Sequence, residues 1–218
     1  MNVSEILKNY DDARRSQTLR PVKVNSLFTL EFELMNGWVD WQSWGDTSSK
    51  KNIHTLLQEV SDGEATFWRD PEGKLIRKVS KVVIDVKYRD DNGVSQRLFE
   101  EVYDEEKEDW VKRRIDPSKK GLREKVKAGE SSLNAALRGL KEEMHITDLT
   151  EEELIGLVHL NVDASQRFYQ DESNSYRGLL SNYQLDFFIF ELPPSRYEEA
   201  YEFPEGESMR RLIWQEAA

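Results

Sequence analysis

The chain contains no cysteine, which rules out disulfide bridges, thiolate metal sites and a cysteine nucleophile. Histidine is scarce: His54, His145 and His159 are too few and too scattered for a histidine-rich zinc site. No apolar run approaches the roughly 18 residues that a bilayer-spanning helix needs, so no membrane-spanning role is expected. Residues 1–12 have no basic stretch followed by a continuous apolar one, so no secretory signal is expected and the expected location is cytoplasmic. Positive charge is also in deficit, with 31 Lys and Arg against 42 Asp and Glu. Non-specific nucleic-acid affinity comes mainly from cations neutralising phosphates, so a net charge of -11 argues against broad nucleic-acid binding.

What is present describes a globular protein. A length of 218 residues holds one domain of about 150 residues with an extension, enough to build a core without covalent staples. The charge is uneven. Lys112, Arg113, Arg114, Lys119, Lys120, Arg123, Lys125 and Lys127 crowd a segment whose acidic residues are Asp116 and Glu124, which leaves open either a local anion site or a solvated charged face.

Periodicity predicts a short helix over residues 4–15, from Ile6, Leu7 and Tyr10, and a strand over 24–35. Ile53, Leu56, Leu57 and Val60 predict an amphipathic helix over 52–60. Between these, Trp38, Trp41 and Trp44 could stack on a planar base, but the expected role is structural, filling a core or a dimer contact as aromatic residues do. The β-branched run over 81–88, followed by Asp91-Asn92-Gly93, reads as a strand entering a hairpin turn. Strands are also expected over 96–103, 110–115, 154–162 and 183–191, with Pro193-Pro194 and Pro204-Glu205-Gly206 as breaks and a short closing strand or turn over 209–214. This order predicts an α/β fold, a mixed β-sheet with a helix packed on it, occupying residues 75–218 and preceded by an extension over 1–74.

The helix in question follows Glu130. Ser131 is a suitable N-cap, and Leu133, Ala136, Leu137, Leu140 and Met144 form an apolar stripe at spacings of three and four. Asn134, Arg138, Gly139, Glu142 and Glu143 are expected on the opposite side, with Arg138 one turn from Glu142 and Gly139 one turn from Glu143. Carboxylates clustered on one edge suit a hard cation such as Mg²⁺ or Mn²⁺.

This segment resembles the Nudix box, which reads Gly, five residues, Glu, seven residues, then Arg-Glu-aliphatic-any-Glu-Glu-any-Gly-aliphatic. Glu130, Arg138, Leu140, Glu142, Glu143 and Ile146 meet the pattern. Glu124, Gly139 and His145 stand where it has Gly, Glu and Gly. The resemblance implies a Nudix-like α/β/α sandwich and a Mg²⁺- or Mn²⁺-dependent hydrolase that splits a pyrophosphate bond in a nucleoside diphosphate-linked compound. It implies Arg138 and Glu142 as catalytic residues and Glu130, Glu142 and Glu143 as the metal-site carboxylates, with Arg138 bracing its loop through Glu130. Arg114 and Arg123, with Lys112, are implied phosphate contacts, and Tyr176 and Arg177, with Tyr169, substrate contacts. The implied partners are a nucleotide or nucleoside diphosphate-linked small molecule, with a homodimer consistent with relatives of this type. Gly139 supplies no carboxylate, so Asp171 or Glu172 from a later loop is a candidate replacement. The same gap supports an alternative, a catalytically silent Nudix-like module that senses a nucleotide or binds a protein. A structural or oligomer-forming role is the third reading.

Overall fold

The computed structural model describes residues 19–45, 51–90, 92–104, 109–112, 121–144, 146, 149–165, 167–173, 175–205 and 208–216. The expected helix over 4–15 lies outside them. The chain is an α/β protein with a large sheet, and every strand pair of described register is antiparallel. Its contacts divide it into two units. One comprises residues 1–80, 127–129 and 168–184, and the other 81–126, 130–167 and 185–218. Two long strands, β3 (Leu75–Arg89) and β9 (Leu180–Glu191), contribute residues to each.

In the first unit, β1 (Arg20–Val22) pairs with β2 (Thr66–Arg69), which pairs with the start of β3. Helices α1 (Leu27–Asn36) and α2 (Ile53–Ser61) bury Leu30, Leu34, Ile53 and Leu56 in a core with Phe67, Leu75, Trp44, Tyr176 and Leu179. Residues 24–35 are therefore mainly helix and not the expected strand. Ser26 caps α1, its hydroxyl accepting from the Thr29 amide at 3.2 Å. Phe28, Phe32 and Met35 are exposed on the face opposite Leu30 and Leu34, so apolar residues lie on both sides of the helix and imitate a strand's alternation.

The three tryptophans part company. Trp44 is core, tilted against Tyr176 with ring centroids 5.1 Å apart, and its indole nitrogen donates to the Arg177 carbonyl at 2.9 Å. Trp41 is partly buried, and Trp38 is 95% exposed at a positive φ of 58°. In the same unit Glu59 accepts from Arg77 at 2.5 Å and from Lys51 at 2.8 Å, and the Arg77 guanidinium lies 5.2 Å from the Tyr176 ring. The carboxylate and guanidinium are both buried, so each is the other's substitute for water.

In the second unit, β4 (Ser95–Asp104) lies between β3 and β11 (Ser208–Glu216), and β10 (Ala200–Glu205) pairs with β11. Asp90 closes the β3–β4 hairpin, accepting from the amides of Asn92 at 2.9 Å and Val94 at 2.8 Å while Gly93 takes φ 79°. Strand β5 (Asp109–Lys112) adds to β4, and residues 113–115 of the expected strand lie outside the described residues. Strand β6 (Leu122–Lys125) pairs with β3, Glu124 opposite Val82 and Leu122 opposite Ile84. Gly121 precedes it at φ 114°, where a Cβ would stand 2.3 Å from the Ile84 carbonyl oxygen, so no other residue fits.

Helix α3 (Ser132–Met144) packs Ala135, Ala136, Leu137, Leu140 and Met144 against Val82, Ile84, Val86, Leu122, Phe188 and Phe190. The expected strand over 154–162 begins as a helix, α4 (Glu151–Leu157), and is strand only in β7 (Val158–Leu160). The cause is a capping box: the Thr150 hydroxyl accepts from the Glu153 amide, and Glu153 reaches back to the Thr150 amide at 2.8 Å. Strand β8 (Arg167–Glu172), which apart from Arg167 belongs to the first unit, pairs with β9, while β7 of the second unit pairs with the distal part of β9. A single turn of 3-10 helix, Pro194–Arg196, stands at the expected proline break. Pro204 does not break the chain but lies in β10, where it stands opposite Met209 of β11. No helix among the described residues is long and apolar enough to cross a membrane.

Candidate functional site

The box residues converge on one guanidinium. Gly129, at φ 79°, turns the chain into Glu130, and Ser131 caps α3, its hydroxyl accepting from the Asn134 amide at 3.1 Å. Two turns into the helix, Arg138 reaches back along the axis. Its Nε and Nη2 donate to the two oxygens of Glu130, each at 3.0 Å, in a planar fork. Nη2 also donates to the Lys125 carbonyl of β6 at 2.7 Å. Nη1 lies 3.1 Å from Glu124 Oε1 and 3.5 Å from Glu142 Oε2. Nε and Nη2 thus make three hydrogen bonds to oxygen, and Nη1 stands within ion-pair distance of two further carboxylates. Hydrogen bonding to Glu130, then to Glu124, holds the guanidinium protonated still more firmly than usual against the opposing cost of burial. Loop, helix and strand are tied at this one residue.

The remaining carboxylates differ in setting. The side chains of Glu130 and Glu124 are each 16% exposed, whereas that of Glu142 is 56% exposed. Glu143 is half-buried. Gly139, expected on the polar side, is buried with Ala135 and Ala136, which lie four and three residues before it. A Cβ on Gly139 would stand 3.1 Å from the Cβ of Glu124 and 3.5 Å from Ile84 Cδ1.

Two hollows adjoin α3. One, of ≈ 360 Å³, is lined by Asn134, Leu137, Arg138, Lys141, Glu142 and Glu151. The other, of ≈ 420 Å³, has apolar walls of Leu133, Val158, Leu160 and Phe188 and one polar pair, the Ser132 hydroxyl donating to Asp186 at 2.5 Å. Both are within the usual size of small-molecule sites.

For a divalent cation, the donor chemistry fits. Glu142 and Glu143 offer hard oxygen ligands on successive residues, and Mg²⁺ is commonly held by one or two carboxylates with water and substrate phosphates. Among the described residues, no three acidic or histidine side chains meet at one point.

The other expected site residues stand elsewhere. Arg114 lies outside the described residues. Arg123 is exposed, and alternation along β6 turns it to the face opposite Leu122 and Glu124. Tyr176 is fully buried in the first unit's core, so it offers no surface to a substrate in this structure. Arg177 is exposed in that same unit, its carbonyl engaged by Trp44. Tyr169 stacks on Tyr183 at 4.9 Å. Asp171 and Glu172 also belong to the first unit, and Glu172 accepts from the Gly178 amide at 2.6 Å. The residue that spacing passed over is Glu124, visible in the pattern only as a mismatch.

No protein-family model and no curated protein matches the chain. Among solved structures it is similar to a C. elegans Ap4A hydrolase, at 15% identity and a TM-score of 0.29 over 52% of this chain and 69% of that one. It is also similar to a binary complex of a C. elegans Ap4A hydrolase, at 14% identity and a TM-score of 0.30 over 52% and 67%.

Proposed function

We propose that this chain is a Nudix-type hydrolase that cleaves a pyrophosphate bond in a nucleoside diphosphate-linked compound with the help of Mg²⁺ or Mn²⁺. The observation that carries the reading is the fork from Arg138 to Glu130, eight residues apart, on the helix that presents Glu142 and Glu143. An ordinary charged helix surface has no reason to reach back past its own N-cap and tie the entering loop to a neighbouring strand. Glu142 and Glu143 would hold the cation, whose chemistry is to neutralise pyrophosphate charge and orient the attacking water. Arg138 and Glu130 fix the loop that frames them. Lys141, which lines the smaller hollow with Arg138 and Glu142, would meet phosphate oxygens. The apolar hollow with its Ser132–Asp186 pair suits a planar base.

The test is release of phosphate or mononucleotide from a panel of nucleotides and nucleoside diphosphate sugars with Mg²⁺ or Mn²⁺. Turnover is expected in the parent protein and is expected to vanish in Glu142→Gln and Glu143→Gln while both stay folded. Turnover unchanged in both variants would sink the assignment.

A second reading, a catalytically silent module that binds a nucleotide, is favoured by one observation: Gly139 is buried and supplies no carboxylate. Calorimetry with the same nucleotides in the presence of a chelator separates the two. Binding that persists without divalent ions and yields no product favours the silent module.

A further inference from the structure

Two of the departures from the box pattern face each other. Position 124 carries glutamate where the pattern has glycine, and position 139 carries glycine where it has glutamate. In space, a Cβ on Gly139 would come 3.1 Å from Glu124 Cβ and 3.5 Å from Glu124 Cγ. Carbon atoms pack at about 3.5–4.0 Å, so a side chain at 139 and the one at 124 compete for a single volume. Helix α3 brings position 139 to that volume because Ala135, Ala136 and Leu140 face inward beside it. Strand β6 brings position 124 to it because Leu122, two residues earlier, is buried in the core beneath.

The carboxylate that arrives is well held. Glu124 Oε1 accepts from the Lys125 amide at 2.8 Å and faces Arg138 Nη1 at 3.1 Å. Both contacts use Oε1 and leave Oε2 for a further partner. Nη1 is shared with Glu142 at 3.5 Å, so a positive group already stands between a carboxylate from the strand and one from the helix. The fork from Nε and Nη2 to Glu130 does not involve Nη1 and would survive its removal.

We propose that Glu124 and Gly139 are an exchanged pair, in which the strand supplies to the box the carboxylate that the pattern places on the helix. Glu124 then offers an oxygen donor toward the divalent cation. Among the described residues no three acidic side chains meet at one point, so the cation draws Glu124 and Glu142 together by competing with Arg138 Nη1 for both. This role rests on the hydrolase reading, whereas the exchange of volume rests on packing alone.

Mn²⁺ titration followed by electron paramagnetic resonance, run beside urea unfolding, tests both parts. Glu124→Gln keeps the side chain's shape and is expected to fold normally while weakening Mn²⁺ binding by at least about tenfold. Gly139→Glu alone is expected to be destabilised by crowding, and Glu124→Gly alone by the emptied volume. The double variant Glu124→Gly/Gly139→Glu is expected to recover both stability and Mn²⁺ affinity. Wild-type affinity in Glu124→Gln would overturn the donor role. Stability losses that simply add in the double variant would overturn the exchange. Absence of Mn²⁺ binding in the parent protein would overturn the donor role together with the hydrolase reading, and the unfolding cycle would still decide the exchange.

Discussion

Replacing Arg138 by lysine keeps the charge and removes the geometry, and the size of the effect follows from counting donors. Arginine offers five N–H groups in a fixed plane, and here they meet Glu130 twice, the Lys125 carbonyl, Glu124 and Glu142. Lysine has three donors on one nitrogen and cannot span both oxygens of Glu130 while also reaching the strand. At least one charge-assisted bond to a carboxylate is lost, at about 1.5–3 kcal/mol, and the Lys125 carbonyl loses its side-chain donor. Both Glu124 and Glu130 are mostly shielded from water, so solvent does little to replace the missing partner. A loss of about 2–3 kcal/mol is expected for Arg138→Lys, and about 3–5 kcal/mol for Arg138→Met, which leaves shielded carboxylates without their cation. Urea unfolding monitored by far-ultraviolet circular dichroism, at low salt and at 1 M NaCl, gives both values. Salt at 1 M reduces the screening length to about 3 Å and erases exposed ion pairs. The predicted loss therefore persists at high salt. A change within about 0.5 kcal/mol, or one that disappears in 1 M NaCl, would mark Arg138 as an ordinary surface residue and refute the reasoning.

Arg77→Met leaves the buried Glu59 carboxylate to Lys51 and is expected to cost up to about 3–5 kcal/mol in urea unfolding, while Arg77→Met/Glu59→Leu recovers much of it. No recovery in the double variant would show that the pair is not the source of the loss. Tyr201 is buried with its hydroxyl donating to the Arg196 carbonyl at 2.9 Å, and burial pushes its ionisation up to about 12. An unfolded tyrosine ionises near about 10, so the contribution of the neutral phenol is fully present below that pH and is lost as pH rises from there to about 12. Urea midpoints measured across that range should fall more steeply in the parent than in Tyr201→Phe, and parallel curves would exclude Tyr201 as the cause.

The elements legible in the sequence are those whose local signals agree. The β-branched run of β3, the turn before β4 and the spacing of Ile53 and Leu56 in α2 each point one way. Helix α1 was hidden because Phe28, Phe32 and Met35 on its outer face fill the gaps between Leu30 and Leu34. Its capping signal, Ser26 with Thr29, departs from the usual Glu or Gln at the third position. The signal for α4 was present, Thr150 followed by Glu153, but a short apolar run after it reads equally as strand. In the site, the partnership of Arg138 with Glu130 was available only from what the resemblance to the Nudix box implies. The inward turn of Gly139 is missed by the pattern, which sets it on the polar side with Glu142 and Glu143, because a residue without a side chain gives no polarity signal. That it meets Glu124 was not legible either, because spacing along a chain carries no information about which strand passes beneath a given turn of helix.

The apposition of Gly139 and Glu124 bears on how kinship is measured. A pattern written as an ordered string counts two independent mismatches here, at either end of a 16-residue window. On the exchange proposed above, a pattern written as occupied space counts none, because one glutamate side chain fills one place and only its point of attachment differs, strand in place of helix. Chains that made such a transfer would drift out of reach of string-based comparison, and the pair to look for is a glutamate and a glycine that have traded places.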